Sequence, residues 1–130
     1  MRFSKTIFLI AAIYGLIVPA PGFFAEKRFG AQFPPAITHP EFYYGFFGVA
    51  LAWQVAFLII SGDPLRFRAI IPAAILEKLG YTIATAALFA AGRLNPTLAA
   101  SGLGDLLFAV LFTICYMQLG KTSARAATSQ

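Results

Sequence analysis

The stretch PAAILEKLGYTIATAALFAAG, residues 72–92, decides how the chain is read. It is apolar enough for the interior of a lipid bilayer, yet Glu77 and Lys78 stand side by side within it. A helix that crosses a membrane needs about 20 mostly apolar residues. A charge inside such a helix is costly and calls for a partner, a route to water or a function. The fold follows from the apolar run, and the candidate site from the charged pair.

Working outward, segments of similar length and character recur. They run from about residue 6 to 25 (TIFLIAAIYGLIVPAPGFFA), 41 to 61 (EFYYGFFGVALAWQVAFLIIS), 69 to 92, and 97 to 119 (TLAASGLGDLLFAVLFTICYMQL). Each reads as a helix, because an isolated strand leaves its backbone polar groups unsatisfied in hydrocarbon. The alternating pattern of a barrel strand is absent. The links EKRFGAQFPPAITHP, GDPLRFR and RLNP are short, and short links make neighbouring helices antiparallel. The expected architecture is an all-α integral membrane four-helix bundle, up-down-up-down, as one domain over residues 1–120. Residues 121–130 read as a polar cytoplasmic tail.

Composition agrees. Apolar residues make up 59% and charged residues 12% of the 130-residue chain, about half the charged share of a soluble domain. The mean hydropathy is +0.77. The net charge of +5 is spread over loops and tails with no basic stripe, so nucleic acid is not an expected partner. The basic residues set orientation instead. Arg2, Lys5, Arg66, Arg68, Lys121 and Arg125 fall on one side, against Lys27, Arg28 and Arg93 on the other. This places both termini in the cytoplasm. MRFSKT followed by IFLIAAIYGLIV also has the make of a signal peptide. Pro21, directly after the Val18–Ala20 cleavage site, disfavours a cut, and Pro19 and Pro21 are expected to kink or end the first helix.

No glycine-rich phosphate loop, GxSxG or HExxH motif occurs, so no cofactor is expected. His39 and Cys115 are far apart and make no metal-ligand pattern. Cys115 reads as a small core residue. In THPEFYYG, Thr38 and Glu41 have capping-box spacing, and Tyr43 and Tyr44 fall where an interfacial aromatic belt forms. Asp63 in GDPLRFR reads as a turn residue, and Arg66 and Arg68 read either as headgroup contacts or, in one case, as the partner of Asp63. Gly45, Gly48 and Ala52, and likewise Gly80, Ala84 and Ala87, are expected to allow close helix approach.

Polar groups within the spans define the candidate site. At 1.5 Å per residue, Glu77, Gln54 and Tyr14 each lie about 10 Å from the cytoplasmic end of their helix. Tyr81 is one turn beyond Glu77, on a face with Ala73, Ala84 and Leu88 that reads as the packing face. Lys78 points about 100° away and is expected to snorkel to the headgroups. Asp105 is expected near the outer interface. The ligand-binding residues assigned are Glu77, Gln54, Tyr81, Tyr14 and Trp53.

Residues 39–81, HPEFYYGFFGVALAWQVAFLIISGDPLRFRAIIPAAILEKLGY, resemble a family of small bacterial four-helix membrane proteins. The resemblance implies that fold and no particular activity. LEKLG is also loosely similar to the glutamate-initiated helix of DoxX-like proteins. Asp63, Arg66, Phe67 and Glu77 follow the order of acid, arginine, aromatic and glutamate in the emopamil-binding and sigma-2 receptor group. The arginine spacing differs, and Trp53 and Gln54 stand where that group has a histidine and an acid. The expected function is binding of a small hydrophobic ligand, a lipid or a partner helix around Gln54, Glu77 and Tyr81. The alternatives are a membrane enzyme using Glu77 as acid or base, and a structural subunit of a larger complex. Expected partners are membrane lipid, a small hydrophobic ligand, and a second copy or another membrane protein.

Overall fold

The computed structural model describes residues 1–128, and among these there is no strand. Helix α1 spans Arg2–Ile17, a 3₁₀ turn spans Ala20–Phe24, and a short α2 spans Glu26–Gln32. The long helices α3 (Pro40–Gly62), α4 (Ile71–Ala90, entered through a 3₁₀ turn at Arg68–Ile70) and α5 (Pro96–Thr128) follow. Pro19 and Pro21 lack the amides that would continue α1, so the first apolar segment breaks after Ile17, as their positions imply. Pro40 and Pro96 sit at the first turns of α3 and α5, where a missing N–H costs nothing.

Four helical stretches are long and apolar enough to cross a membrane: Arg2–Phe24, Pro40–Gly62, Arg68–Ala90 and Pro96–Ala124. At most 28% of any of these spans is buried inside the protein. Leu, Ile, Val and Phe side chains cover the outside, including Phe42, Val49, Leu76, Ile83 and Leu107. An apolar surface of this extent is far larger than a water-soluble monomer exposes. The chain is a multi-pass membrane protein.

The helices pair closely as α1 with α3 and α4 with α5, and α1 also touches α5. Contacts fix the directions. Arg68 reaches Tyr116, Lys78 reaches Asp105 and Tyr81 reaches Ser101, so α4 and α5 run antiparallel. Phe8 stacks on Phe112 while Tyr14 meets Phe108, so α1 and α5 do too. The start of α1, the α3–α4 turn and the far end of α5 therefore lie at one end of the bundle, which carries Arg2, Lys5, Arg66, Arg68 and Lys121. The core is aromatic, with Phe8, Phe57 and Phe112 fully buried and mutually in contact. Cys115 is buried beside them.

Close approach comes from other glycines than those expected. A Cβ on Gly45, Gly48 or Gly80 would meet open space. A Cβ on Gly15 would overlap the Gln54 amide, and one on Gly102 would overlap the Thr85 hydroxyl. In hydrocarbon a glycine on the lipid-facing side brings no helix nearer, and only those at a seam do so. The expected capping box also does not form: His39 is the N-cap of α3 with no side-chain cap bond. Its Nδ1 instead lies 3.0 Å from Glu41 Oε1, which draws the glutamate away from Thr38. Tyr43 is buried and donates to the Gly22 carbonyl, and Tyr44 donates to Glu26 Oε2 at 2.7 Å. Both tyrosines thus pin the α1–α2 connection. Asp63 accepts a bond from the Arg66 backbone N–H at 3.1 Å and pairs with no arginine side chain among the described residues. Helix α5 continues through the segment read as a tail as far as Thr128, and the last two residues lie outside the described part.

Candidate functional site

Helix α4 places its chemistry by rotation about its own axis. The buried residues are Ile71, Ala74, Lys78 and Thr85, at spacings of three, four and seven that make one helix face. Ala73 and Ala84, on the face expected to pack, are exposed. Lys78 therefore points inward. It is 7% exposed and does not snorkel to the headgroups, because an acid on α5 meets it within the span.

That acid is Asp105. Lys78 Nζ lies 3.2 Å from Asp105 Oδ1. It donates to Glu77 Oε1 at 3.3 Å and stands 3.2 Å from Glu77 Oε2, the latter outside hydrogen-bond geometry. Its ammonium also lies 5.4 Å from the centre of the Phe57 ring, on α3, a distance for cation–π attraction. The side chains of Glu77 and Asp105 are 18% and 16% exposed. One ammonium thus faces two carboxylates, roughly midway along the Arg68–Ala90 span. Counted from the start of its helix, Asp105 is expected at the interface, but the structure places it at the depth of Lys78. The signal for it is complementarity: a lysine inside one span and a single acid inside the next.

A ladder of hydroxyl bonds continues above the cluster. Thr82 Oγ1 lies 2.9 Å from its own Lys78 carbonyl and 3.1 Å from the Gly102 carbonyl on α5. Ser101 Oγ donates to the Leu98 carbonyl at 2.6 Å. The 2.8 Å contact between Tyr81 and Ser101 is therefore donated by the tyrosine. Tyr81 also meets the Phe46 ring of α3.

The five residues assigned from sequence go to different seams. Glu77 joins the charged cluster and Tyr81 the ladder one turn away. Gln54, 2% exposed, sits in the α1–α3 seam against Gly15. Its amide donates to the Ala50 carbonyl at 2.7 Å, and its Oε1 has no hydrogen-bond partner among the described residues. Tyr14 packs on Phe108 in the α1–α5 seam. Trp53 is half-buried against Phe57. Among the described residues, no hydrogen bond or ion pair joins Gln54, Tyr14 or Trp53 to Glu77.

Two hollows stand apart from the cluster. One, of about 210 Å³, lies between α4 and α5 and is lined by Ile75, Leu79, Leu106, Ala109, Val110, Thr113 and Ile114. The other, of about 300 Å³, lies by α2 between Glu26 and Ile37. Neither is lined by Glu77, Lys78 or Asp105. No group of three or more histidine, cysteine or acidic side chains is placed to hold a metal ion among the described residues.

No family model matches the chain, and neither a curated protein nor a solved structure matches it.

Proposed function

We propose that the protein is a four-helix protein of a bacterial inner membrane, with both termini cytoplasmic, whose working site is the Glu77–Lys78–Asp105 cluster. The cluster exchanges one proton within the membrane and serves as the acid–base centre of the protein's activity. The observation that supports this is the count of charges: two carboxylates share a single ammonium. An unbalanced charge in a low-dielectric interior costs several kcal/mol. A proton on one carboxyl removes it, and a proton is the one occupant that needs no cavity. Intramembrane acids in such a setting commonly serve proton relays.

A second reading, a small hydrophobic ligand with its polar end at Glu77, has its own support. Glu77 lies one turn from Tyr81 on the side of α4 that meets Phe46 of α3. On that side the two helices meet through aromatic side chains, while their backbones pack less closely than in the α1–α3 and α4–α5 pairs. A slender amphiphile enters between α3 and α4 and offers a donor to Glu77.

The test is infrared difference spectroscopy of the protein in lipid vesicles during a pH titration. A protonated-carboxyl band that titrates and vanishes in the Glu77→Gln, Asp105→Asn double variant is expected. No titrating band, or one that survives in that variant, would overturn the proton site. Lipid and metabolite extraction from the purified protein tests the ligand reading separately.

A further inference from the structure

We infer that the outer groove between α4 and α5 holds an acyl chain of an anionic phospholipid, whose phosphate is received by Lys121 and Arg68. The floor of the groove is Ala109, 2% exposed, and its rim is Ile75, Leu79, Leu106, Val110 and Ile114. Thr113, its one polar residue, gives its hydroxyl hydrogen to the Ala109 carbonyl at 2.8 Å. The lining is therefore apolar in effect. Its length is in the membrane-spanning part of both helices, so hydrocarbon is what meets it.

The rim decides between a lipid chain and a partner helix. Membrane helices associate where small residues let backbones approach. Here the rim is built of branched side chains, which hold a helix about 10 Å wide away from the Ala109 floor. A single flexible chain reaches that floor.

Charge decides the lipid class. Leu106, Val110, Ile114, Met117 and Lys121 follow one another at spacings of four, four, three and four, a single stripe along α5. Lys121 is exposed at the lower end of that stripe. It lies about 24 Å along the helix from Asp105 at 1.5 Å per residue. With Asp105 near mid-membrane, this is the outer edge of the headgroup layer of a bilayer about 40–45 Å thick, and a helical side chain, which leans toward its N-terminus, reaches back into that layer. Arg68 approaches the same end from the 3₁₀ turn that leads into α4. Its Nε donates to the Tyr116 carbonyl at 3.2 Å and its guanidinium covers the Tyr116 ring at 4.0 Å. Its Nη2 then lies against Gly120, beside Lys121, where a Cβ would crowd it. Its Nη groups make no hydrogen bond to protein among the described residues. They are left to meet a phosphate.

The experiment is native mass spectrometry of the purified full chain, released from vesicles of equal phosphatidylglycerol and phosphatidylcholine. Retained phosphatidylglycerol in excess of phosphatidylcholine is expected. Lys121→Gln is expected to lower that preference about fivefold, the scale of about 1 kcal/mol per basic residue at an anionic surface. Val110→Trp fills the groove from a lipid-exposed position, and is expected to reduce retention of both lipids while helix content and thermal midpoint stay unchanged. Equal retention in all three proteins would overturn the site. So would a Lys121 effect without a Val110 effect, which would mean surface charge alone. A dimer that Val110→Trp abolishes, with no lipid dependence, would assign the groove to a second copy and also overturn it. None of these readouts depends on the proton at Glu77 and Asp105.

Discussion

Lys78 Nζ lies 3.2 Å from Asp105 Oδ1, and this ion pair joins α4 to α5 inside the membrane. Glu77, by contrast, meets the same ammonium from the same helix. The two acids are therefore not equivalent, although both touch one lysine. Asp105 holds two helices together, while Glu77 adjusts the charge of the holder.

Removing the ammonium leaves two carboxylates near one another with no cation, and Lys78→Gln is expected to destabilise the protein by about 3 kcal/mol, the scale for breaking a buried pair. Detergent-denaturation midpoints of the purified protein measure it. A variant as stable as the parent would refute the buried cluster.

Glu77→Gln keeps the Lys78–Asp105 tie and removes the surplus charge. Its stability is expected to stay within about 1 kcal/mol of the parent, on the scale of single membrane hydrogen bonds. Asp105→Asn is expected to cost more, because the tie between helices weakens. A double-mutant cycle on Lys78 and Asp105 is expected to give a coupling of about 1–3 kcal/mol. If Glu77→Gln proves the more damaging of the two acid changes to folding, the division of roles is wrong.

Gly15→Ala forces a methyl group into the Gln54 amide and is expected to cost about 1–3 kcal/mol by overpacking. Gln54→Ala in the same chain vacates that space and is expected to restore most of the loss. A failure of the second change to compensate would show that Gly15 matters for another reason.

For the orientation, single cysteines at Gly62 and Thr97 in a Cys115→Ala background report opposite sides. A membrane-impermeant thiol reagent applied outside is expected to label Thr97→Cys and spare Gly62→Cys. The reverse pattern would invert the assignment drawn from the basic residues.

The four helices were legible because a lipid span needs a long apolar run and little else. The rotation of α4 was not. Ala73, Glu77, Tyr81, Ala84 and Leu88 form as good a helical stripe as Ile71, Ala74, Lys78 and Thr85. In water the more apolar stripe would be the buried one. In a bilayer, lipid tails are as apolar as leucine, so hydropathy does not tell inside from outside. Polar complementarity does, and it joins residues in different helices: Lys78 with Asp105, and the Thr82 hydroxyl with the Gly102 carbonyl. Glu77 could be singled out from its own segment. Asp105 could not, since its role depends on a helix that precedes it.

That order in the chain carries a consequence for biosynthesis. Helix α4 leaves the ribosome with Glu77 and Lys78 already adjacent, so it presents the insertion machinery with a locally neutral pair in the least hydrophobic of the four spans. Asp105 emerges later, in α5, as an isolated acid whose transfer alone to mid-membrane costs about 2.5–3.5 kcal/mol on insertion scales. Its counter-ion is by then waiting at the translocon exit. The two helices thus enter lipid most cheaply as a hairpin, the second drawn in by the charge the first has delivered.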